Sequence, residues 1–408
     1  MKKTILVLSA LSLFAILIAS CKKMLPPAPK DEEILAGTIP DLTPEQEKEH
    51  LIGDASFARI FSKEEGLGPV FVQSSCSNCH VGNGKGNPST ELTRFAHVNG
   101  SIIDYLADKG GPQLQQNAVI GYTAETFPSE ANVFSKRIAP IVMGLGYIAA
   151  LNDQAILNNA DPNDVDADGI SGRPNYVNPT NFFVPLAIHT PNNGQYLGRF
   201  GKKAEKVTLQ DQVVFALKQD IGITSYFDTQ DLYNAQLGNY TGDDVADPEV
   251  SSGFVNGLVF YLRTLKAPPR RNANDPDVVA GEKLFNQIGC VSCHVSSFTT
   301  PASDIVALSN QTFHPYSDFL IHDMGQALDD GYPEGNASGA EWRTPPLWGI
   351  GLAKDSQGGK LFLLHDGRAG SFKEAIAFHG GEAAGRRTAF NALTEQEKES
   401  LIKFLESL

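Results

Sequence analysis

The sequence predicts a mainly α-helical chain built as two similar modules with long irregular loops. Three observations carry that expectation. A five-residue pattern of cysteine and histidine occurs twice, as Cys76-Ser77-Asn78-Cys79-His80 and as Cys290-Val291-Ser292-Cys293-His294. Helix-start signals stand near both ends of the chain, at Thr43 and Thr394. Between them lie stretches rich in Gly, Asn and Pro, with 38 Gly and 24 Pro among 408 residues. These are scattered and no long heptad run appears, which excludes collagen, coiled coil and wholesale disorder. With 41% hydrophobic and 20% charged positions the chain is globular and long enough for two or three cores. A net charge of −14 and a pI of about 5.1 argue against a phosphate-backbone partner, so no nucleic acid is expected.

Taken in order, the first segment is a targeting signal. Lys2 and Lys3 precede an apolar run from Ile5 to Ile18 that is too short and wrongly flanked for a transmembrane helix. It closes on Ile18-Ala19-Ser20-Cys21, which resembles a bacterial lipobox, where cleavage exposes a cysteine that becomes lipidated. Residues 1–20 are therefore expected to be a lipoprotein signal peptide. Residues 21–42, with Pro26, Pro27 and Pro29, are expected to tether the body to a membrane anchor at Cys21. The protein is expected outside the cytoplasm, facing the periplasm.

Thr43-Pro44-Glu45-Gln46 is a capping box with Pro at the first helical position, opening a helix through Phe61. Val255 to Leu265 is apolar enough for a helix that closes the first module. The Pro-rich basic stretch Lys266 to Asn272 then marks a boundary, giving modules over 43–268 and 269–408. Val279 to Ile288 reads as a helix running into the second cysteine pattern. Thr394-Glu395-Gln396-Glu397 opens a last helix with Leu401, Ile402, Leu405 and Leu408 on one face.

The repeated pattern is C-x-x-C-H, the attachment signature of c-type haem. Two thiols add to the porphyrin vinyl groups, and the adjacent imidazole becomes the proximal iron ligand. Two intervening residues put both sulfurs on one turn. A four-cysteine zinc site needs no histidine after each pair, and a redox dithiol needs no second copy. The expectation is two covalently bound haem c groups, on Cys76, Cys79 and His80 and on Cys290, Cys293 and His294, in two cytochrome c-like domains. One further loop carries carboxylates at alternate positions, Asp164, Asp166 and Asp168, followed by Gly169. It matches the opening of an EF-type calcium loop, but its twelfth position is Asn175 rather than Glu. Calcium ligation and a solvated Asx-turn loop both remain open.

The succession of further segments resembles the bacterial di-haem oxidoreductase family of di-haem peroxidases, which is similar to bacterial cytochrome c peroxidases and MauG-type enzymes. It runs from Gly111-Pro112-Gln113-Leu114-Gln115 and Arg137-Ile138-Ala139-Pro140, through Gly198-Arg199-Phe200-Gly201 and Asp220-Ile221-Gly222, to His322-Asp323-Met324-Gly325 and His365-Asp366-Gly367-Arg368. One departure is Lys202, where the family usually carries Trp. The resemblance implies a second ligand for the C-terminal haem at His379, fourteen residues after His365, with Met324 as its rival. It implies His97 as a distal ligand of the N-terminal haem, and Gln113, Gln115, Glu125 and Arg137 as candidates for acid–base work on peroxide. Arg137, Arg199, Arg343 and Arg368 are candidates for pairing with haem propionates. Trp342 and Trp348 are candidates for an inter-haem path.

These residues imply a peroxidase-like oxidoreductase. Electrons from a periplasmic donor protein, or a quinone-linked one, would enter at the C-terminal haem and cross to the N-terminal haem. There hydrogen peroxide is reduced or a protein substrate oxidised. The other readings are a non-enzymatic di-haem electron carrier and a redox accessory to periplasmic iron uptake.

Overall fold

The computed structural model describes residues 30–408 apart from 239 and 241. The expected signal peptide, Cys21 and most of the tether lie outside the described residues. Among those described, no helix is long and apolar enough to cross a membrane. Helix makes up 34% and strand 13%, and long irregular loops carry the rest.

Helix α1 spans Pro44–Ala58. Its capping box forms in full: the Gln46 N–H donates to Thr43 Oγ1 (3.3 Å) and the Thr43 N–H donates to the Gln46 side chain (3.1 Å). The helix stops short of the expected Phe61 because Arg59 turns to extended backbone. The Phe61 N–H goes instead to the Ser74 carbonyl (2.9 Å), drawing the segment before the first cysteine pattern onto the helix end. Further on come α2 (Leu209–Ala216), α3 (Ser252–Thr264) and α4 (Pro276–Gln287). They are followed by α5 (Phe372–Ala377), α6 (Ala384–Ala392) and α7 (Glu395–Ser407). The second capping box opens α7 as expected, with Thr394 and Glu397 exchanging hydrogen bonds. α4 starts three residues before the sequence suggested, because the Asp275 carboxylate caps the Asp277 N–H (2.8 Å) and Pro276 fits the first helical position.

The strands were not anticipated. β1 (Leu92–Asn99) lies between β2 (Ile102–Asp104) and β3 (Val133–Arg137) in an antiparallel sheet, with Arg94 opposite Ser135 and His97 opposite Asp104. β4 (Ile321–Asp323) pairs with β5 (Glu341–Arg343), which sets His322 opposite Trp342.

Two helix pairs frame the molecule, α1 against α3 and α4 against α7. Each is closed by a glycine where the backbones meet. A Cβ on Gly53 would meet the Gly257 carbonyl and Tyr261, and one on Gly281 would meet the Ser400 carbonyl and Phe404. Phe285 and Phe404, 3% and 0% exposed, each contribute roughly 1.5–3 kcal/mol by burial. The larger core gathers Phe57, Val213, Leu258 and Leu262, and also Phe298, Phe313, Phe319 and Trp348 from beyond residue 268. The smaller one is built from α4, α5, α6 and α7. The chain after residue 268 therefore packs into both cores.

Candidate haem cavity

The two cysteine patterns fold alike. Cys76–Cys79 forms one helical turn, and the His80 N–H donates to the Cys76 carbonyl (3.0 Å). Cys290–Ser292 forms a tighter turn, and the His294 N–H donates to the Cys290 carbonyl (2.9 Å). The same bond in both places turns each imidazole back over its cysteines. Each ring also rests on a phenylalanine of the preceding helix: His80 on Phe57 (5.9 Å, 55°) and His294 on Phe285 (6.0 Å, 55°). All four cysteines are free thiols, and both patterns open on one continuous, mostly apolar cavity. Burial pushes the Cys76, Cys79 and Cys290 thiols up to about 12.

Burial also holds both imidazoles neutral, at about 4 for His80 and for His294, the protonation state an iron ligand requires. His294 Nδ1 donates to the Tyr316 carbonyl (2.8 Å), which leaves Nε2 free. His80 Nδ1 faces the Pro140 carbonyl without a fully formed hydrogen bond. His379, just past α5, lines the cavity with its Nδ1 on the Ala375 carbonyl (2.9 Å), so its Nε2 is free as well. Its nearness lowers the His294 pKa further. Met324 lines the same wall. Two cysteine pairs, two neutral imidazoles and an apolar interior fit two porphyrin groups.

Other expected residues are placed differently. His97 is not on the cavity wall: at the far end of β1, its Nδ1 meets the Glu130 carbonyl (2.7 Å). Glu125 also lies off the wall. It is buried where its carboxylate accepts the Gln115 N–H (2.9 Å), and burial raises it to about 8. Gln115 is tied to Gln219. Gln113 does reach the cavity, where its Nε2 donates to Asp220 Oδ1 (2.7 Å) and its Oε1 is unpaired. Asp220, which the sequence did not single out as an acid or base, is half-buried on that wall, and desolvation raises its pKa.

Of the four arginines, Arg137 and Arg343 line the cavity. Arg199 is buried elsewhere, ion-paired with Asp153 and donating to the Ile148 carbonyl (3.1 Å). Arg368 turns to Asp366 and the Ala327 carbonyl. Trp342 lines the cavity and stacks on His365 (3.6 Å, 12°), whereas Trp348 sits in the larger core with its indole N–H on the Met143 carbonyl.

The three expected calcium ligands do not converge. Asp168 is turned to Arg386 (2.6 Å) and Ser292, fastening its loop to the second cysteine pattern. Asp164 and Asp166 gather with Asp161, and each accepts backbone N–H groups of the loop. Asn175, at the twelfth position, is buried on the Lys203 and Glu334 carbonyls.

Sequence reasoning also missed a second charged group beside Cys293. His322 is buried between Asp318 (2.8 Å) and Glu382 (2.9 Å) and lies 3.5 Å from Cys293 Sγ. The two carboxylates raise its pKa well above the usual imidazole range against the opposing effect of burial. The motif His322-Asp323-Met324-Gly325 was its only sequence signal.

Residues 123–408 match the family described as "Di-haem oxidoreductase, putative peroxidase". The chain belongs to the di-haem oxidoreductase family. The match starts after the first cysteine pattern, so the resemblance reaches less far towards the N-terminus than the motifs suggested. No curated protein matches the sequence. Among solved structures, a hydrazine synthase of Kuenenia stuttgartiensis pressurised with xenon is 15% identical, with 94% of each chain covered and a TM-score of 0.40. A MauG-like protein associated with microbial copper homeostasis is 15% identical, with 94% of each chain covered and a TM-score of 0.39.

Proposed function

We propose that this member of the family is an exported, membrane-tethered di-haem c oxidoreductase of peroxidase type, anchored at Cys21 and folded as two cytochrome c-like domains over 43–268 and 269–408. One haem would be held by Cys76, Cys79 and His80, the other by Cys290, Cys293 and His294. The observation that carries this reading is the near-identical local geometry of the two patterns on a single cavity. When bound, the haems supply one-electron storage and an iron able to activate peroxide.

The chain's own residues divide the work. His294 and His379 line the same cavity and would both hold the C-terminal haem, reserving it for electron carriage. On the N-terminal side the Asp220 carboxyl, hydrogen-bonded to Gln113, is positioned to hold and return a proton inside a mostly apolar cavity. Trp342, stacked on His365, is the tryptophan that lines the cavity. The proposed direction runs from an external periplasmic or quinone-linked donor through the C-terminal module to the N-terminal one, where hydrogen peroxide is reduced or a protein partner oxidised.

The test is the full chain exported from a haem-maturing host. Intact mass is expected to show two added porphyrins, and no added porphyrin overturns the reading. Redox-poised absorption spectra are expected to show a high-spin signal that responds to hydrogen peroxide. Low-spin spectra in every redox state, unmoved by peroxide or cyanide, would leave a plain electron carrier.

A further inference from the structure

Lys85, Lys202 and Arg343 stand on the cavity wall with no carboxylate at ion-pair distance among the described residues. Lys85 Nζ donates to one backbone carbonyl, that of Leu364 (2.6 Å). Arg343 uses its guanidinium on the Gly201 and Thr344 carbonyls, which carry no charge. Arg137, beside them, is instead paired with Glu334 (2.7 Å), Glu205 (3.9 Å) and Asp330 (4.0 Å). Lys202 has no hydrogen bond or ion pair from its amine among the described residues, and it too lines the cavity. The carboxylates nearby are otherwise engaged. Asp366 is paired with Arg368 and Glu205 is shared with Arg94. Cations left without a counter-charge beside an apolar interior are costly, so the site calls for anions that the polypeptide does not supply.

The fields of the group also reach both cysteine patterns. Lys202 is the one charged side chain whose field depresses the His80 ring, and it acts on His365 as well. Arg343 feels Glu205 on one side and Asp318 on the other, and Asp318 in turn acts on His294. We propose that Lys85, Lys202 and Arg343 form one carboxylate-binding junction shared by the two haem sites, and that it is filled by the propionate side chains of both haems. This rests on the di-haem reading above. It gives Lys202, the position where the family usually carries Trp, a positioning role as a counter-charge common to the two cofactors.

A shared counter-charge makes the haems read the same substitution. In the haem-loaded full chain, Lys202→Gln is expected to move both midpoint potentials to more negative values. The oxidised absorption spectrum should not change, and Lys202→Arg should restore both potentials. Lys85→Gln is expected to act in the same direction, which keeps the test open if one variant fails to fold. Acetate, as a free carboxylate probe, is expected to leave the wild-type potentials unmoved because the site is already filled. Four outcomes overturn the junction: unmoved potentials in both variants, a shift confined to one haem, potentials of the wild type that track acetate concentration, or conversion of the N-terminal haem to high spin in Lys202→Gln with rescue by imidazole. The last would make the amine an iron ligand instead. Absence of porphyrin from the chain would be read by mass, before any potential is measured, and would fault the di-haem reading itself.

Discussion

Arg199 offers the sharpest separation between a cofactor-facing and a purely structural arginine. Its side chain and that of Asp153 are each 1% exposed and form an ion pair in the larger core. Asp153→Asn keeps the shape and removes the counter-charge. Breaking a buried pair from one side costs about 3–5 kcal/mol, because the surviving charge stays desolvated. Arg199 retains the Ile148 and Leu151 carbonyls as acceptors, but the single amide oxygen cannot serve both Arg199 and the Thr190 N–H, which the carboxylate does, so at least about 3 kcal/mol is expected. That corresponds to roughly a hundredfold change in the folding equilibrium. The assay is urea unfolding of the haem-loaded full chain, followed by far-ultraviolet circular dichroism. The double variant Asp153→Asn/Arg199→Met removes both charges and is expected to be more stable than Asp153→Asn alone. A cost below about 1 kcal/mol for the single change would refute the reasoning. So would an Arg199→Met protein of normal stability whose haem potentials shift, since that would return Arg199 to the cofactors.

Three other outcomes are expected. His379→Ala should open the C-terminal haem to added cyanide or imidazole, seen as new ligand bands; an unchanged low-spin spectrum removes that ligand. Asp220→Asn should slow the reaction with hydrogen peroxide by 10²–10⁴-fold in stopped-flow traces, the range usual for loss of a general acid–base, and should leave peroxide binding detectable; unchanged kinetics would take Asp220 out of the reaction. Glu125 has a folded pKa of about 8 against an ordinary 4.5, so the folded state holds its proton more tightly than the unfolded one. Its contribution is complete below about 4.5 and is lost as pH rises towards 8, at a slope of at most about 1.4 kcal/mol per pH unit. Glu125→Gln should flatten that part of the pH–stability curve, as read by thermal unfolding, and an identical curve would show that Glu125 does not titrate as described.

Much of the site was readable before the fold because its chemistry is local. C-x-x-C-H fixes its own geometry within one turn, and Thr43 and Thr394 bond within three residues, so neither needs the rest of the chain. His379 required a family resemblance, because nothing in its neighbours distinguishes a ligand from a filler histidine. The arginines show the limit. Arg137, Arg199, Arg343 and Arg368 look alike in sequence, yet a long side chain can end several ångströms to either side of its backbone, and only two of them reach the cavity. His97 and Glu125 were misplaced for the same reason: spacing along the chain does not say which face of β1, or which side of a loop, meets the interior. Asp168 was claimed by Arg386, more than two hundred residues later. The short strands left no alternation long enough to notice.

The depth of the four thiols bears on how such a protein is made. With the Cys76, Cys79 and Cys290 sulfurs pushed to about 12 and walled in on an apolar cavity, the folded chain presents almost no reactive thiolate at neutral pH. On the proposed haem c reading, thioether formation would belong to the still open polypeptide, before α1 settles on α3 and α4 on α7. A chain that closes first would be a dead end for assembly, sealed around an interior it could no longer furnish.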